Sequence, residues 1–127
     1  MFKTLLVEEN VTYRQTLADV LIMHFPLIDV DEASDGREAL SKVEYRRPDL
    51  IFLDIQLPGE SGLDVAKEIK RIYEYIVIVI LSANNLPEYR QQAFRSGVDY
   101  FISMGDDACL ENILARVDVA LARTSCQ

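Results

Sequence analysis

The segment Leu50-Ile51-Phe52-Leu53-Asp54 decides the fold, because four apolar residues lead directly into a carboxylate. A second apolar run covers residues 76–81. Runs that are apolar throughout are typical of parallel strands covered by helices on both faces. We therefore place both segments in the middle of a sheet.

Three further short apolar runs flank these two, and the stretches between them carry apolar residues at helical spacing. Strands are predicted at residues 3–7, 28–33, 50–53, 76–81 and 99–103. Strands that alternate with helices predict a doubly wound α/β fold, with a five-stranded parallel sheet and five helices. The whole chain, 1–127, is expected to be one domain with its core at about 3–122.

Each predicted helix has apolar residues on one side only. The predicted apolar faces are Leu17, Val20, Leu21 and His24; Ala39, Leu40 and Val43; Val65, Ala66, Ile69 and Ile72; Tyr89, Ala93 and Phe94; and Leu110, Ile113, Leu114, Val117 and Leu121. The predicted helix boundaries are capping boxes at Asp35 with Glu38 and at Ser61 with Asp64, Asn85 ahead of Pro87, stops near Pro26 and Pro48, and Gly97 as the end of the fourth helix.

The composition excludes several classes of partner. A net charge of -8 and a pI near 4.6 disfavour direct binding to nucleic acid or to an anionic membrane. Cys109 and Cys126 lack the spacing of a zinc site, which favours a reducing cytoplasm. The longest apolar run is too short to span a bilayer, so a soluble protein is expected.

Polar residues follow three of the predicted strands. The first strand runs into Glu8, Glu9 and Asn10, the third into Asp54, and the fourth into Ser82. Ligands of open α/β sheets bind outside the carboxyl ends of the strands. Carboxylates that converge there repel one another, and Mg²⁺ is the obvious cation to relieve that repulsion. Asp54 is then the best nucleophile, and Ser82 a hydrogen-bond donor to a phosphoryl group.

This pattern resembles the receiver domains of response regulators over nearly the whole chain. The matching segments are 5–10, 49–59, 61–64, 80–83 and 97–103. The resemblance implies a flavodoxin-like sheet of strand order 2-1-3-4-5. It also implies that Asp54 takes a phosphoryl group from a sensor histidine kinase or a phosphotransfer protein. Mg²⁺ would be held by Glu8, Glu9, Asp54 and the backbone carbonyl of Gln56.

In the family, the residue matching Ser82 moves toward the phosphoryl group and the aromatic residue matching Phe101 turns inward. The surface of the fourth helix, fifth strand and fifth helix then reports the change to an effector domain, a partner protein or a second copy of the chain. Gln56 and Asn84 occupy positions that influence the lifetime of the phosphoryl group.

Two positions depart from the family pattern. Met104 stands where the family has a lysine that pairs with the phosphoryl oxygens, and an uncharged side chain cannot replace that interaction. The alternative is a purely structural role, in which Met104 fills an apolar gap. Glu9 stands where an aspartate usually ligates the metal, and its extra methylene changes the geometry at an ion with strict octahedral demands. Without the positive charge of a lysine, the acidic cluster is less well neutralised. We therefore expect the pKa of one carboxylate to lie above its ordinary value.

Three functions compete. The first is a phosphorylatable signalling switch, and the second is a pseudo-receiver that acts only as an interaction module. The third is a flavodoxin-like electron carrier or nucleotide-binding enzyme, which the phosphate-repelling loop Glu8-Glu9-Asn10 disfavours. No Gly-rich dinucleotide, Walker or catalytic-triad pattern is present in the sequence, so no enzyme activity is predicted.

Overall fold

The computed structural model describes residues 1–84 and 86–125, which form one parallel sheet with helices on both sides. The strands are β1 (Phe2–Val7), β2 (Ile28–Ala33), β3 (Leu50–Asp54), β4 (Gln56–Leu57), β5 (Glu60–Ser61), β6 (Val77–Ser82) and β7 (Tyr100–Ser103). The helices are α1 (Val11–His24), α2 (Gly36–Arg46), α3 (Gly62–Ile72), α4 (Pro87–Arg95) and α5 (Cys109–Ser125). The main sheet has the order β2-β1-β3-β6-β7, all parallel, which confirms the predicted order 2-1-3-4-5.

The strands β4 and β5 were not predicted. They form a small antiparallel hairpin in which Gln56 pairs with Ser61 and Leu57 with Glu60. Gly59 turns the chain between them with φ of +73°, a conformation that glycine adopts without steric cost. The sequence predicted only a turn into a helix here, because two-residue strands are too short to show an alternating pattern.

The two faces of the sheet bury alternate residues of each strand, as the pleat requires. One face carries Leu5 and Leu53 against α2, α3 and α4, and the other carries Leu6 and Phe52 against α1 and α5. All residues of β3 are buried. The central position predicted for residues 50–53 is therefore confirmed.

Most predicted helix boundaries have a visible hydrogen-bond basis. The Asp35 side chain accepts a hydrogen bond from Glu38 N at 2.8 Å, and the Ser61 hydroxyl accepts one from Leu63 N at 3.1 Å. The Glu38 carboxylate reaches Ser34 N at 2.7 Å, one residue ahead of the position that a capping box uses. These side chains satisfy amide groups that have no partner within their helices.

The two ends of α4 are also explained by the residues found there. Pro87 opens the helix, and Leu86 precedes it without a side-chain cap. The predicted cap, Asn85, lies outside the described residues, as does Cys126. Gly97 follows the helix with φ of +88°, which confirms its role as a stop signal.

Four residues assigned to apolar faces are exposed in the structure. Ile72, Phe94 and Leu110 are each about half exposed, because they lie at the margin of their helices rather than over the sheet. His24 is also exposed, with its Nδ1 at 3.0 Å from the carbonyl oxygen of Val20. In the part of the chain that the structure describes, no helix is long and apolar enough to cross a membrane.

Candidate functional site

The sheet register brings Glu8 and Asp54 together. β1 and β3 are neighbours, and Val7 pairs with Leu53. Glu8 and Asp54, which follow these two residues, therefore lie side by side. Glu8 is 9% exposed and Asp54 is 8% exposed. The two side chains interact directly, since Asp54 contributes to the raised pKa of Glu8. The predicted adjacency of the two acids is therefore present.

This contact changes the protonation of Glu8. Burial, followed by the hydrogen bond and the negative charge of Asp54, raises the pKa of Glu8 to about 8. The expectation that one carboxylate of the site titrates above its ordinary value is confirmed. Glu8 therefore keeps its proton to a higher pH than a free glutamate does.

The backbone around Asp54 fixes its direction. The Asp54 Oδ1 accepts a hydrogen bond from Gln56 N at 3.0 Å, and Gly62 N donates to the Ile55 carbonyl at 2.7 Å. A Cβ at position 62 would overlap the carbonyl oxygen of Asp54. Glycine is therefore required where α3 begins, because the start of this helix lies against the end of β3. The sequence showed Gly62 only as part of a motif and gave no sign of this close approach.

One open cleft of about 600 Å³ collects the predicted metal ligands. Its lining residues are Glu8, Glu9, Asn10, Val11, Asp54 and Gln56. Within residues 1–84 and 86–125, however, no three His, Cys, Asp or Glu side chains are grouped closely enough to hold a metal. The cleft thus brings Glu8 and Asp54 together, while the exposed Glu9 lines the same cleft without completing a group of three.

The donor set still suits Mg²⁺. Carboxylate and carbonyl oxygens are the ligands that this cation prefers. A buried carboxyl pair that holds a proton in place of a counter-charge is also a site where a divalent cation gains by displacing that proton. The residues present therefore fit the ion in donor type, with Glu9 as the ligand that needs adjustment.

The Ser82 hydroxyl is engaged by its own loop. Ser82 is fully buried on β6, the neighbour of β3, where Leu81 pairs with Asp54. Its Oγ donates to the Asn84 carbonyl at 2.8 Å and accepts from Asn84 N at 3.1 Å. A hydrogen bond to a group on Asp54 would require the hydroxyl to leave the Asn84 carbonyl.

Phe101 and Met104 lie on different sides of β7. Phe101 is buried in the face covered by α2, α3 and α4, with the Arg90 guanidinium of α4 at 5.0 Å from its ring centroid. Met104 is half-buried against the opposite face, where it shares a groove between α1 and α5 with Tyr13 and Cys109. Met104 is not among the residues of the acidic cleft, which supports the interpretation that it fills an apolar gap.

Sequence reasoning missed one residue that touches the site. Arg14 of α1 donates from Nη1 to the backbone carbonyl of Glu8 at 2.7 Å and from Nε to Glu32 Oε1 at 2.8 Å. An arginine on a helix normally indicates a solvated face, and Glu32 is far along the chain. No local signal connects the two residues.

Known proteins share this architecture. Residues 4–111 match the family described as response regulator receiver domain. The response regulator MprA of Mycolicibacterium vanbaalenii is 30% identical over 123 residues, which are 97% of this chain and 52% of that protein. The transcriptional regulatory protein PdtaR of Mycobacterium tuberculosis is 36% identical over 93 residues, which are 72% of this chain and 45% of that protein.

A solved structure shows the same similarity. The crystal structure of a two-component response regulator from Clostridium difficile has a TM-score of 0.86 and 27% identity, with 98% of each chain covered. The chain spans about half the length of the curated relatives it matches.

Proposed function

Since this chain belongs to the response regulator receiver family, we propose that it accepts a phosphoryl group on Asp54 and thereby switches a protein-interaction surface. Receivers of this family are signalling domains of two-component systems. The observation that carries the proposal is the position of Asp54 at the end of the buried strand β3, beside Glu8 at the end of β1. The receiver would occupy about 3–122 and would work in the cytoplasm.

The transfer is a nucleophilic substitution at phosphorus. A carboxylate oxygen of Asp54 attacks the phosphorus of a phosphohistidine on a sensor kinase or a phosphotransfer protein. The P–O bond forms as the P–N bond breaks, the electron pair stays on the histidine nitrogen, and Asp54 becomes an acyl phosphate. The Gln56 N–H holds one oxygen of Asp54, so the carboxylate is oriented before the donor arrives.

Glu8, Glu9, Asp54 and the backbone carbonyl of Gln56 would hold Mg²⁺. When bound, the ion neutralises negative charge on the phosphoryl oxygens. Because the pKa of Glu8 is about 8, Glu8 releases a proton when it becomes a ligand near neutral pH. Binding is therefore expected to strengthen as the pH rises toward 8.

The response to phosphorylation would begin at Ser82. Its hydroxyl exchanges the Asn84 carbonyl for a phosphoryl oxygen, which alters the loop that leads into α4. Arg90 on α4 contacts the ring of Phe101 on β7, so movement of this loop is transmitted to both elements. The resulting change on the surface of α4, β7 and α5 selects the partner, which is an effector domain, another protein or a second copy of this chain. Gln56 and Asn84 border the site and would tune how long the phosphoryl group lasts.

The proposal predicts a mass gain of one phosphoryl group after treatment with acetyl phosphate and Mg²⁺, measured by intact mass spectrometry. Asp54→Ala should show none, and Asp64→Ala, which removes an exposed acid of α3, should behave as the parent. Met104→Lys should lengthen the lifetime of the phosphorylated form, because an ammonium group near the site stabilises it. A parent protein that gains no mass under these conditions is instead an interaction module without phosphoryl transfer.

A further inference from the structure

The side chain of Arg14 links three elements at the edge of the acidic cleft. It starts on α1, contacts the end of β1 through the Glu8 carbonyl at 2.7 Å, and reaches β2 through Glu32 at 2.8 Å. The side chain is only 12% exposed. An arginine held by two hydrogen bonds and this degree of burial has little freedom to leave.

The Glu8 peptide is held from both sides. Its N–H donates to the Ala33 carbonyl of β2 at 3.0 Å, and its carbonyl accepts from Arg14. With both groups bound, the backbone at Glu8 is fixed just where the strand ends and the chain turns toward α1. The rotamers open to the Glu8 side chain are then limited as well, because they depend on that backbone conformation.

Arginine is suited to this position by its shape. The Nε and Nη1 groups point along fixed directions in one plane, so a single side chain serves Glu8 and Glu32 at once. Glu32 of β2 also neutralises the guanidinium through an ion pair of 2.8 Å. Lysine carries the same charge but lacks this planar fork.

We propose that Arg14 is a positioning residue for the cation site: it holds Glu8 in the geometry needed to share a divalent cation with Asp54, and Glu32 keeps Arg14 in place. This inference rests on the proposed function, because it concerns the same cleft. Arg14 contacts the metal ligand through its backbone and takes no part in the transfer itself.

Two effects of removing Arg14 have opposite signs, which makes the inference testable. If Arg14 acted only as a positive charge near the cleft, its loss would tighten Mg²⁺ binding, because cations repel each other. If Arg14 positions Glu8, its loss weakens binding, since partners that orient metal ligands typically contribute about 10-fold to 100-fold in affinity.

The experiment is a calorimetric titration of the purified chain with Mg²⁺ at pH 8. For Arg14→Gln we expect a dissociation constant raised about 10-fold. The control is Arg46→Gln, which loses the same charge from an ion pair with Asp29 of β2 and has no hydrogen bond to the cleft. This control should bind Mg²⁺ as the parent does or slightly more tightly.

Arg14→Lys distinguishes shape from charge. Because lysine cannot bind Glu8 and Glu32 in the same way, we expect weaker Mg²⁺ binding than in the parent even though the charge is kept. This variant decides the question if Arg14→Gln does not fold. Faster hydrogen exchange at the Glu9 and Asn10 amides should accompany the loss, and it can be measured without any metal.

Unchanged or tighter binding in Arg14→Gln, or unchanged binding in Arg14→Lys where only that variant folds, overturns the positioning role. A parent chain that does not bind Mg²⁺ overturns the metal-dependent part of the proposed function instead. The two failures are therefore distinguishable from the same titrations.

Discussion

Two acidic regions lie side by side in this molecule, and they are neutralised in different ways. The edge strand β2 carries acids paired with cations from the helices: Arg46 lies 2.9 Å from Asp29, Lys42 lies 3.1 Å from Asp31, and Arg14 lies 2.8 Å from Glu32. In the cleft, Glu8 and Asp54 form no ion pair with any described residue, and the two acids lie beside each other instead.

The difference shows which negative charges are structural. On β2 the chain supplies its own cations, so those carboxylates are satisfied in every state of the protein. In the cleft no cation of the described residues pairs with the acids, and burial together with the neighbouring Asp54 raises the pKa of Glu8. A site that retains a proton in this way is ready to exchange it for a metal ion.

The largest effect is expected from Glu8→Gln in metal-free protein. Below pH 4.5, the ordinary value, Glu8 is protonated whether the chain is folded or unfolded, and the variant should match the parent. As the pH rises from 4.5 to about 8, the unfolded chain ionises first, so the parent loses stability that the variant keeps. Above pH 8 the variant should be more stable by at most about 5 kcal/mol, since one pKa unit corresponds to about 1.4 kcal/mol.

Urea unfolding at a series of pH values measures this difference. Repeating the series with Asp54→Ala in both proteins should reduce the pH-dependent difference without abolishing it, because burial is the larger cause of the raised pKa. A stability difference that stays constant between pH 4.5 and 8 would show that the cleft does not hold the proton.

Much of this organisation follows from the sequence. The apolar runs predicted the sheet and its order, and the carboxylates that follow two of those runs predicted the pair of acids. Both inferences depend on local patterns, since strand and helix periods appear within a few residues. The excess of negative charge was predicted from a single position, where methionine replaces the lysine of the family.

Other features depend on contacts between distant residues. Arg14 and Glu32 are separated by 18 positions, and nothing near either residue indicates the partner. The exposure of Phe94 and Leu110 depends on how α4 and α5 are rotated about their axes relative to the sheet. The spacing of apolar residues along a helix does not determine this rotation. The predicted grouping of three carboxylates also failed to appear among the described residues, because the strand order places strand ends side by side but does not fix where an exposed side chain such as Glu9 points.

An intermediate effect is expected from Gly62→Ala, which tests whether backbone packing holds the cleft. A methyl group at this position would overlap the Asp54 carbonyl, and such overpacking typically costs about 1–3 kcal/mol. Gly105→Ala is a suitable control, because nothing lies within 4 Å of its Cβ position. Equal midpoints of urea unfolding for the two variants would contradict the close approach.

The smallest effect is expected from Arg46→Gln, which removes a cation of α2 from its ion pair with β2. Its pair with Asp29 is partly exposed, with side chains 46% and 36% accessible. Pairs of this kind contribute about 0.2–1 kcal/mol, and salt screens them. The loss of stability should shrink in 1 M NaCl, whereas a loss that is independent of salt would point to packing rather than charge.

The charged side chains of β2 also affect how the chain meets other copies of itself. β2 and β7 are the two edges of the main sheet, and each edge has unpaired backbone groups that invite another strand. Charges along β2 and the short length of β7, only four residues, make both edges poor templates for strand addition. The charged side chains of β2 therefore also disfavour pairing of this edge with a strand of another copy.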